Sequence, residues 1–412
     1  MRIIHTADWH LGQTLLGQSR HEEQQLAFDW LYELVLAQRA EALIVAGDIF
    51  DVASPAEDAR KLYYDFLARL ASSPLKWIIV VAGNHDSPRM IAAVQQLAAA
   101  FNIYVVGTPT VSVEQPASDL IQLREPSTGE LAGVVAAIPF LPERLMRSSK
   151  AGEDIAAKEQ ALAEGIHAHY QQLADACEQY RGQVPIVATG HLYASGAVAR
   201  DGQDNIYVGK LRNLNASQLP DVFGYVALGH IHRPQTLKGC EHVRYSGSLV
   251  ALDFAESADT KGCWVVELNA EGIVSAEFEQ SPVSRRLKRL TGTYEALLAA
   301  IQQFGRKHQA DQLSPWLELQ LSSGSVSSAQ RDELRACAEA HGARVLKVVR
   351  QPTTSTRTTP PEELPTLAEV DVEHVFDLCC AERELSPEER AKVQELFEQV
   401  VQDVKTGHVL NV

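Results

Sequence analysis

The sequence predicts an α/β protein whose functional groups gather where strands end, and three observations predict it. Short β-rich apolar runs, "RIIHTAD", "ALIVAGD", "WIIVVAGN", "PIVATGH" and "YVALGHIH", recur through about residue 280. Helix-like stretches separate these runs, the alternation that builds layers of sheet and helix. Each run then breaks into a turn carrying Asp, Asn or His, the place where α/β layers expose their chemistry.

The elements follow in order. The chain opens strand-like with "MRIIHTADWH", and Asp8 interrupts it before a signal-peptide core could form. No apolar stretch approaches the roughly 20 residues of a membrane span, so a soluble cytoplasmic protein with no membrane contact is expected. In "DVASPAEDARKLYYDFLARL", Ser54 reads as an N-cap, Pro55 as the first helical residue and Glu57 as the partner in a capping box. Ser87 and Pro88 repeat the cap before "PRMIAAVQQLAAAF". Loops held at both ends in this way position ligands accurately. "EDIAAKEQALAEGIHAHYQQLADACEQY" reads as one long amphipathic helix. The first domain is thereby placed at residues 1–281.

Past residue 282 the texture changes. "LKRLTGTYEALLAAIQQFGRK", "WLELQLSS", "AQRDELRACAEAHGA" and "RVLKVVR" predict strand, helix, strand, helix, strand, a small α+β capping domain over 282–350. "QPTTSTRTTPPEELP" is too rich in Thr and Pro to bury a core and reads as a linker at 351–363. A helical tail, 364–412, carries two amphipathic helices, the second capped by Ser386 with Pro387 and Glu389. Its Val393, Leu396, Phe397, Val400, Val401 and Val404 form an apolar stripe that two helices alone cannot bury, so the tail is expected to dock on this chain or on a partner. No repeat of 20 to 50 residues recurs, which excludes a solenoid.

Composition excludes further classes. With 53 acidic and 37 basic side chains the net charge is −16, the wrong sign for coating nucleic acid by bulk electrostatics. A polyanionic substrate must be met locally, by metal ions or a confined basic patch. The six cysteines show no CxxC spacing, so neither a zinc ribbon nor a disulfide framework is indicated.

The strand exits hold Asp8 and His10 in "ADWH", Asp48 and Asp51 in "GDIFD", Asn84 and His85 in "GNHD", His191 in "TGH", and His230 and His232 in "GHIH". Alternating residues of an extended chain project the same way, so Asp8 with His10, and His230 with His232, are each expected to aim two donors into one site. Mixed carboxylate, imidazole and amide donors suit a pair of hard to borderline divalent ions such as manganese. The other histidines read as surface or packing residues. His167 and His169, about 200° apart around a helix, cannot chelate one ion together.

The order D-x-H, G-D-x-x-D, G-N-H-D, G-H, G-H-x-H resembles the signature of the calcineurin-like metallophosphoesterases. That resemblance implies two packed β-sheets flanked by helices, with one metal held by Asp8, His10 and His232, a second by Asn84, His191 and His230, and Asp48 bridging them. Two such ions, about 3.5 to 4 Å apart, activate a water and neutralise charge at phosphorus. The resemblance assigns His85 to stabilising the transition state or protonating the leaving oxygen, and Asp51 to orienting His85. "MRIIHTADWHLG", "VAGDIFD", "AGNHDS", "AAIPFLP", "ATGHL", "YVALGHIHRPQ" and "YSGSLVALDFAE" together resemble the SbcD family of bacterial DNA-repair nuclease subunits. Past residue 282 the match is one of layout more than of motif. It implies a manganese-dependent exonuclease on duplex DNA ends and endonuclease on single strands and hairpins, a homodimer working with an SbcC-type coiled-coil ATPase. This chain lacks G-x-x-x-x-G-K-[ST], so no ATP site is expected here. Arg285, Arg286, Lys288 and Arg289 in "SRRLKRL" read either as a local DNA phosphate contact or as an alternating strand at a sheet edge. A phosphatase or small phosphodiesterase of the same fold is the alternative function, although a small substrate gives no reason for the second domain and the tail. A non-catalytic scaffold is a third, and the full ligand set argues against it.

Overall fold

The computed structural model describes residues 1–110, 119–148, 153–199, 214–308, 311–322, 327–350, 376, 380 and 387–406. The chain divides into two units, Met1–Gln351 and Pro352–Val412. In the first unit the strands of the two large sheets are β1 (Arg2–Thr6), β2 (Ala42–Ala46), β3 (Trp77–Val81), β4 (Ile103–Val106), β5 (Leu120–Arg124), β6 (Leu131–Ala136), β7 (Ile186–His191), β8 (Tyr225–Gly229), β9 (Gln235–Leu237), β10 (Cys240–Tyr245), β11 (Gly262–Asn269) and β12 (Gly272–Gln280). The first sheet runs β12-β11-β1-β2-β3-β4 and the second β9-β10-β8-β7-β6-β5.

The unbroken apolar runs have a direct cause: every residue of β2, β3 and β8 is buried, because both faces of these strands are covered. Alternate side chains then enter different cores. Leu43, Val45, Ile78 and Val80 pack beneath α1 (His21–Gln38) and α2 (Glu57–Ala71), with Phe28, Leu31, Tyr63 and Phe66. Ile44, Trp77, Ile79 and Val81 point the other way, onto Val135, Val187, Tyr225 and Ala227 of the second sheet. That sheet's outer face, with Ala188, Val226 and Leu228, is covered by α3 (Ile155–Cys177) through Leu162, Ile166, Tyr170 and Leu173. The result is helices, sheet, sheet, helix. Removing Ile79, fully buried between the sheets, is expected to cost about 2 to 5 kcal/mol as Ile79→Ala. The parallel register sets Gly229 opposite His191, so β7 and β8 end at one level.

Two caps differ from expectation. Helix α2 starts at Glu57 with Ala56 as N-cap and no side-chain cap bond. Ser54 and Pro55 lie before the helix instead of capping and opening it. Ser87 does precede Pro88 at a helix start, but it makes no side-chain cap bond, and the expected single helix is two short ones, Pro88–Ala92 and Gln95–Ala99. The long helix α3 forms as read, with Asp154 accepting from the Ala157 N–H.

The small module comprises β13 (Arg285–Gly292), α4 (Tyr294–Lys307), β14 (Leu313–Leu321), α5 (Ser328–Ala340) and β15 (Arg344–Arg350). The element order is the one expected, yet all three strands run parallel, β13-β14-β15. Each helix is a crossover returning the chain in the same direction, so the module is α/β rather than α+β. Leu297 and Ile301 of α4 and Leu334 and Ala338 of α5 close a core on Leu317, Leu319 and Val345.

In the second unit the described helix is α6 (Pro387–Thr406), where Val393, Leu396 and Val400 are exposed and Phe397 stacks on Phe376 with ring centroids 4.0 Å apart. The linker read at 351–363, most of the first tail helix and the Ser386 cap lie outside the described residues. No described helix is long and apolar enough to cross a membrane.

Candidate metal centre

The exits of β1 and β2 continue to pair after the strands stop: the Asp8 N–H donates to Gly47 O at 3.0 Å, His10 N–H to Asp48 O at 3.0 Å and Leu11 N–H to Ile49 O at 2.9 Å. The two loops are therefore positioned by one another. Asp8 and His10 do converge, but not from an extended chain: Asp8 (φ 53°), His10 (φ 45°), Asp48 (φ 51°) and His230 (φ 96°) all occupy the left-handed region. For residues with a Cβ this conformation costs of order 1 to 3 kcal/mol each, and such strain gathers at functional sites. Two motif glycines leave room for the donors. A Cβ on Gly83 would lie 2.1 Å from Asp48 Oδ1, and one on Gly47 2.2 Å from His191 Nδ1.

Asp8, His10, Asp48, His191 and His230 are buried, Asn84 and His232 half-buried. Their donor atoms form compact groups: Asp8 with His10 and His232, and Asp48 with His191 and His230, all within 4.8 Å of one another in each group. Asp48 Oδ2 lies 3.5 Å from His10 Nε2 and 3.2 Å from His191 Nε2, so one carboxylate oxygen faces both groups. Asn84 Oδ1 reaches His191 Nε2 at 3.0 Å.

The other ring nitrogens have fixed duties. His10 Nδ1 donates to Asp51 Oδ1 at 3.1 Å, His191 Nδ1 to Ala46 O at 2.9 Å and His232 Nδ1 to Glu256 Oε1 at 2.7 Å. Each acceptor selects the tautomer that leaves a lone pair on Nε2, the usual way proteins prepare imidazole for a metal. Asp8 Oδ2 and His10 Nε2 are buried without a hydrogen-bond partner among the described residues. Leaving such atoms unmatched costs about 1 to 3 kcal/mol each, which a bound cation would offset. The donor set therefore fits divalent metal.

Charges here are interdependent. Burial raises the Asp8 carboxyl against the pull of His232 and His191. Burial also opposes charge on Asp48, yet His191 and His10 beside it hold its carboxyl well below the usual range. Burial would lower His191, but the Asp48 carboxylate outweighs it and raises the imidazole to about 9, so a metal must displace the Nε2 proton before this nitrogen can serve as a ligand.

His85 is exposed at the rim of this pit. Its N–H donates to Asp48 Oδ1 at 3.0 Å, and its Nδ1 donates at 2.8 Å to the main-chain oxygen of Asp51. The family resemblance assigns Asp51 to orienting His85, and the contact between them runs through the Asp51 main-chain oxygen. The Asp51 carboxylate is hydrogen-bonded to His10, and its donor atom lies within 4.8 Å of those of His10 and His85.

A profile of the calcineurin-like phosphoesterases matches residues 1–234, and one described as the type 5 capsule protein repressor C-terminal domain matches residues 283–384. Over 399 residues the chain is 35% identical to the SbcD subunit of the SbcCD nuclease of Escherichia coli strain K12, covering 96% of this chain and 97% of that one. The chain belongs to the SbcD family. The same-named protein of Bacillus subtilis strain 168 is 35% identical over 273 residues (65% of this chain, 66% of that one). That of Rhodobacter capsulatus is 30% identical over 373 residues (88% and 91%). A β-glucosidase from Exiguobacterium marinum overlays with a TM-score of 0.22 at 9% identity over 84% of this chain and 88% of that one, too little to bear on the fold.

As a member of the SbcD family, the chain is a metal-dependent phosphodiesterase and nuclease. Two further residues serve its site, Asp86 of the G-N-H-D motif and Glu256. Asp86 accepts from Ile49 N–H (3.1 Å), Phe50 N–H (2.9 Å) and Gly83 N–H (2.8 Å), tying the β2 exit to the β3 exit, and burial raises its carboxyl to about 6. Glu256 lies within "YSGSLVALDFAE", where nothing in the pattern distinguishes it. The basic run, read either as a DNA phosphate contact or as an alternating strand at a sheet edge, lies on β13, an edge strand of the small sheet. Arg285 is paired with Glu22 and Glu23, Arg286 with Asp311 and Arg289 with Glu318. These carboxylates pair with three of the four cations, leaving Lys288 as the one without an ion pair among the described residues.

Proposed function

We propose that this chain is the nuclease subunit of an SbcCD-type complex that cleaves DNA phosphodiesters, with Asp8, His10 and His232 holding one divalent ion, Asn84, His191 and His230 a second, and Asp48 shared between them. The observation that carries this reading is Asp48 Oδ2, a buried carboxylate oxygen within 3.5 Å of an imidazole from each group. Manganese is the proposed ion, because the donors are imidazole, carboxylate and amide with no thiolate among them.

When bound, the ions supply a water of lowered pKa and offset charge growing on phosphorus. The chain's own residues do the rest. Asp51, Ala46 and Glu256 keep three imidazoles in the tautomer that points Nε2 inward. His85, fixed through Nδ1, makes no hydrogen bond through Nε2 among the described residues, so this nitrogen can deliver a proton to the leaving oxygen of the substrate. Asp51 serves both sides, its carboxylate holding His10 and its carbonyl holding His85.

Duplex ends, single strands and hairpins are the proposed substrates. With a net charge of −16, the chain alone is expected to bind DNA weakly, its coiled-coil ATPase partner supplying affinity. The proposed homodimer uses a groove of about 340 Å³ lined by Tyr64, Leu67, Ala71, Val94, Leu97 and Phe101, where Leu97 and Phe101 are 73% and 59% exposed. Such apolar exposure invites a second copy, and Leu97→Asp with Phe101→Asp is expected to yield monomers on sizing with light scattering. The tail is proposed to hold the ATPase through the α6 stripe. Deleting residues 364–412 should leave manganese-dependent cleavage intact and abolish co-purification with the partner.

The test of the function is cleavage of hairpin DNA by purified protein with manganese, with and without the ATPase. Rapid hydrolysis of small phosphomonoesters with no cleavage of DNA would decide for the phosphatase.

A further inference from the structure

The carboxylate of Glu256, 24 residues from His232 in sequence, is buried and wholly engaged. Oε1 accepts the His232 Nδ1–H at 2.7 Å, while Oε2 accepts from Lys261 Nζ at 2.6 Å and from the Leu252 N–H at 3.0 Å. Lys261, also buried, donates further to His232 O at 2.7 Å and Ser248 Oγ at 2.9 Å. One ion pair thus anchors both the ring and the main chain of residue 232. The loop that carries Glu256 is seated in turn by the small module. Phe254 packs with Leu15 and with Leu287 and Trp316 of that module. Arg20 donates to Ala251 O at 2.8 Å and Leu252 O at 3.3 Å, and joins through Glu23 to Arg285 of β13, whose guanidinium lies 4.3 Å from the Trp316 ring centre.

We infer that Glu256 is a positioning residue for His232 and that the small module, through Phe254, Arg20 and Arg285, holds it in place. The inference rests on the reading of His232 as a metal ligand. A buried Glu-Lys pair is an expensive way to stabilise a loop, since apolar residues of the same volume often do as well or better. What such a pair adds here is a carboxylate oxygen aimed at one imidazole nitrogen, which fixes the ring and raises its basicity. The route from module to ligand is continuous, each link a direct contact.

The test is a manganese titration of the full-length protein followed by electron paramagnetic resonance, resolving the affinity of each of the two sites. Glu256→Ala should weaken one site by about 10- to 100-fold, the usual worth of such an outer partner, and leave the other unchanged. Glu256→Gln, whose amide oxygen still accepts from His232, should restore much of the loss. Arg285→Met should weaken the same site by a smaller factor. Thermal melting without metal checks that each variant folds. Wild-type affinities in Glu256→Ala, or equal weakening of both sites by the Ala and Gln variants, would overturn the inference. His232→Ala separates the two levels: if it keeps both ions, the ligand reading itself fails. If it loses one while Glu256→Ala keeps both, only the positioning role fails.

Discussion

The strand exits and the basic strand β13 hold comparable densities of ionisable side chains, yet they solve opposite problems. In β13 the cations meet carboxylates: Arg286 meets Asp311, Arg289 meets Glu318, and Arg285 meets Glu22 and Glu23. At the exits Asp8 Oδ2 and His10 Nε2 are buried with no hydrogen-bond partner among the described residues, on residues held in a strained backbone. Residues whose polar atoms are all matched are explained by the fold. Those left unmatched in a buried, strained setting need a ligand to explain them.

The largest effect should come from Asp48, the oxygen that faces both groups. Asp48→Ala is expected to abolish DNA cleavage, and full activity in that variant would remove the shared-ligand reading. At the rim, His85→Gln should lower turnover by about 10²- to 10⁴-fold, the range for positioned proton transfer, with metal content by elemental analysis near normal. Metal lost in parallel with turnover would move His85 into the ligand set.

His5 sharpens the contrast, because it is a buried histidine with both nitrogens used, Nδ1 by Tyr225 Oη at 2.8 Å and Nε2 by Leu228 O at 3.2 Å. Burial lowers its pKa from 6.5 to about 3. Between those values the unfolded chain takes up a proton that the folded chain refuses. This contribution to stability is therefore complete above about pH 6.5 and declines as pH falls toward 3. The slope is about 1.4 kcal/mol per pH unit. Urea melts of metal-stripped protein should show that slope reduced in His5→Gln, and an unchanged slope would mean that His5 is not what resists protonation. The smallest effect belongs to β13. Arg289→Ala should change stability by no more than about 1 kcal/mol, as for partly exposed ion pairs, and leave affinity for hairpin DNA nearly unaltered. A marked loss of DNA binding would mark the basic run as a contact.

The same contrast explains what was legible beforehand. The central strands announced themselves, since a strand covered on two faces must be apolar throughout, as β2 and β3 are, while their division into two sheets came only from the family resemblance. The donors were legible because each stands at the end of such a run. Glu256 was not, for it is one of 53 acidic residues and nothing local marks which carboxylate will meet His232. The destination of the Asp51 carboxylate and the ion pairs of β13 were hidden for the same reason: the partners come from distant segments, Glu22 and Glu23 lying more than 260 residues from Arg285. Ser54 with Pro55 carried a local cap signature, yet the helix begins two residues later, at Glu57.

The most direct test is a count of manganese bound at saturation by calorimetry and electron paramagnetic resonance, on the wild-type chain and on Asp48→Ala. The shared-carboxylate centre predicts two ions per chain, magnetically coupled through close approach, falling to at most one uncoupled ion in the variant. Two ions retained by Asp48→Ala with their coupling intact, or a single ion in the wild-type chain, would contradict it.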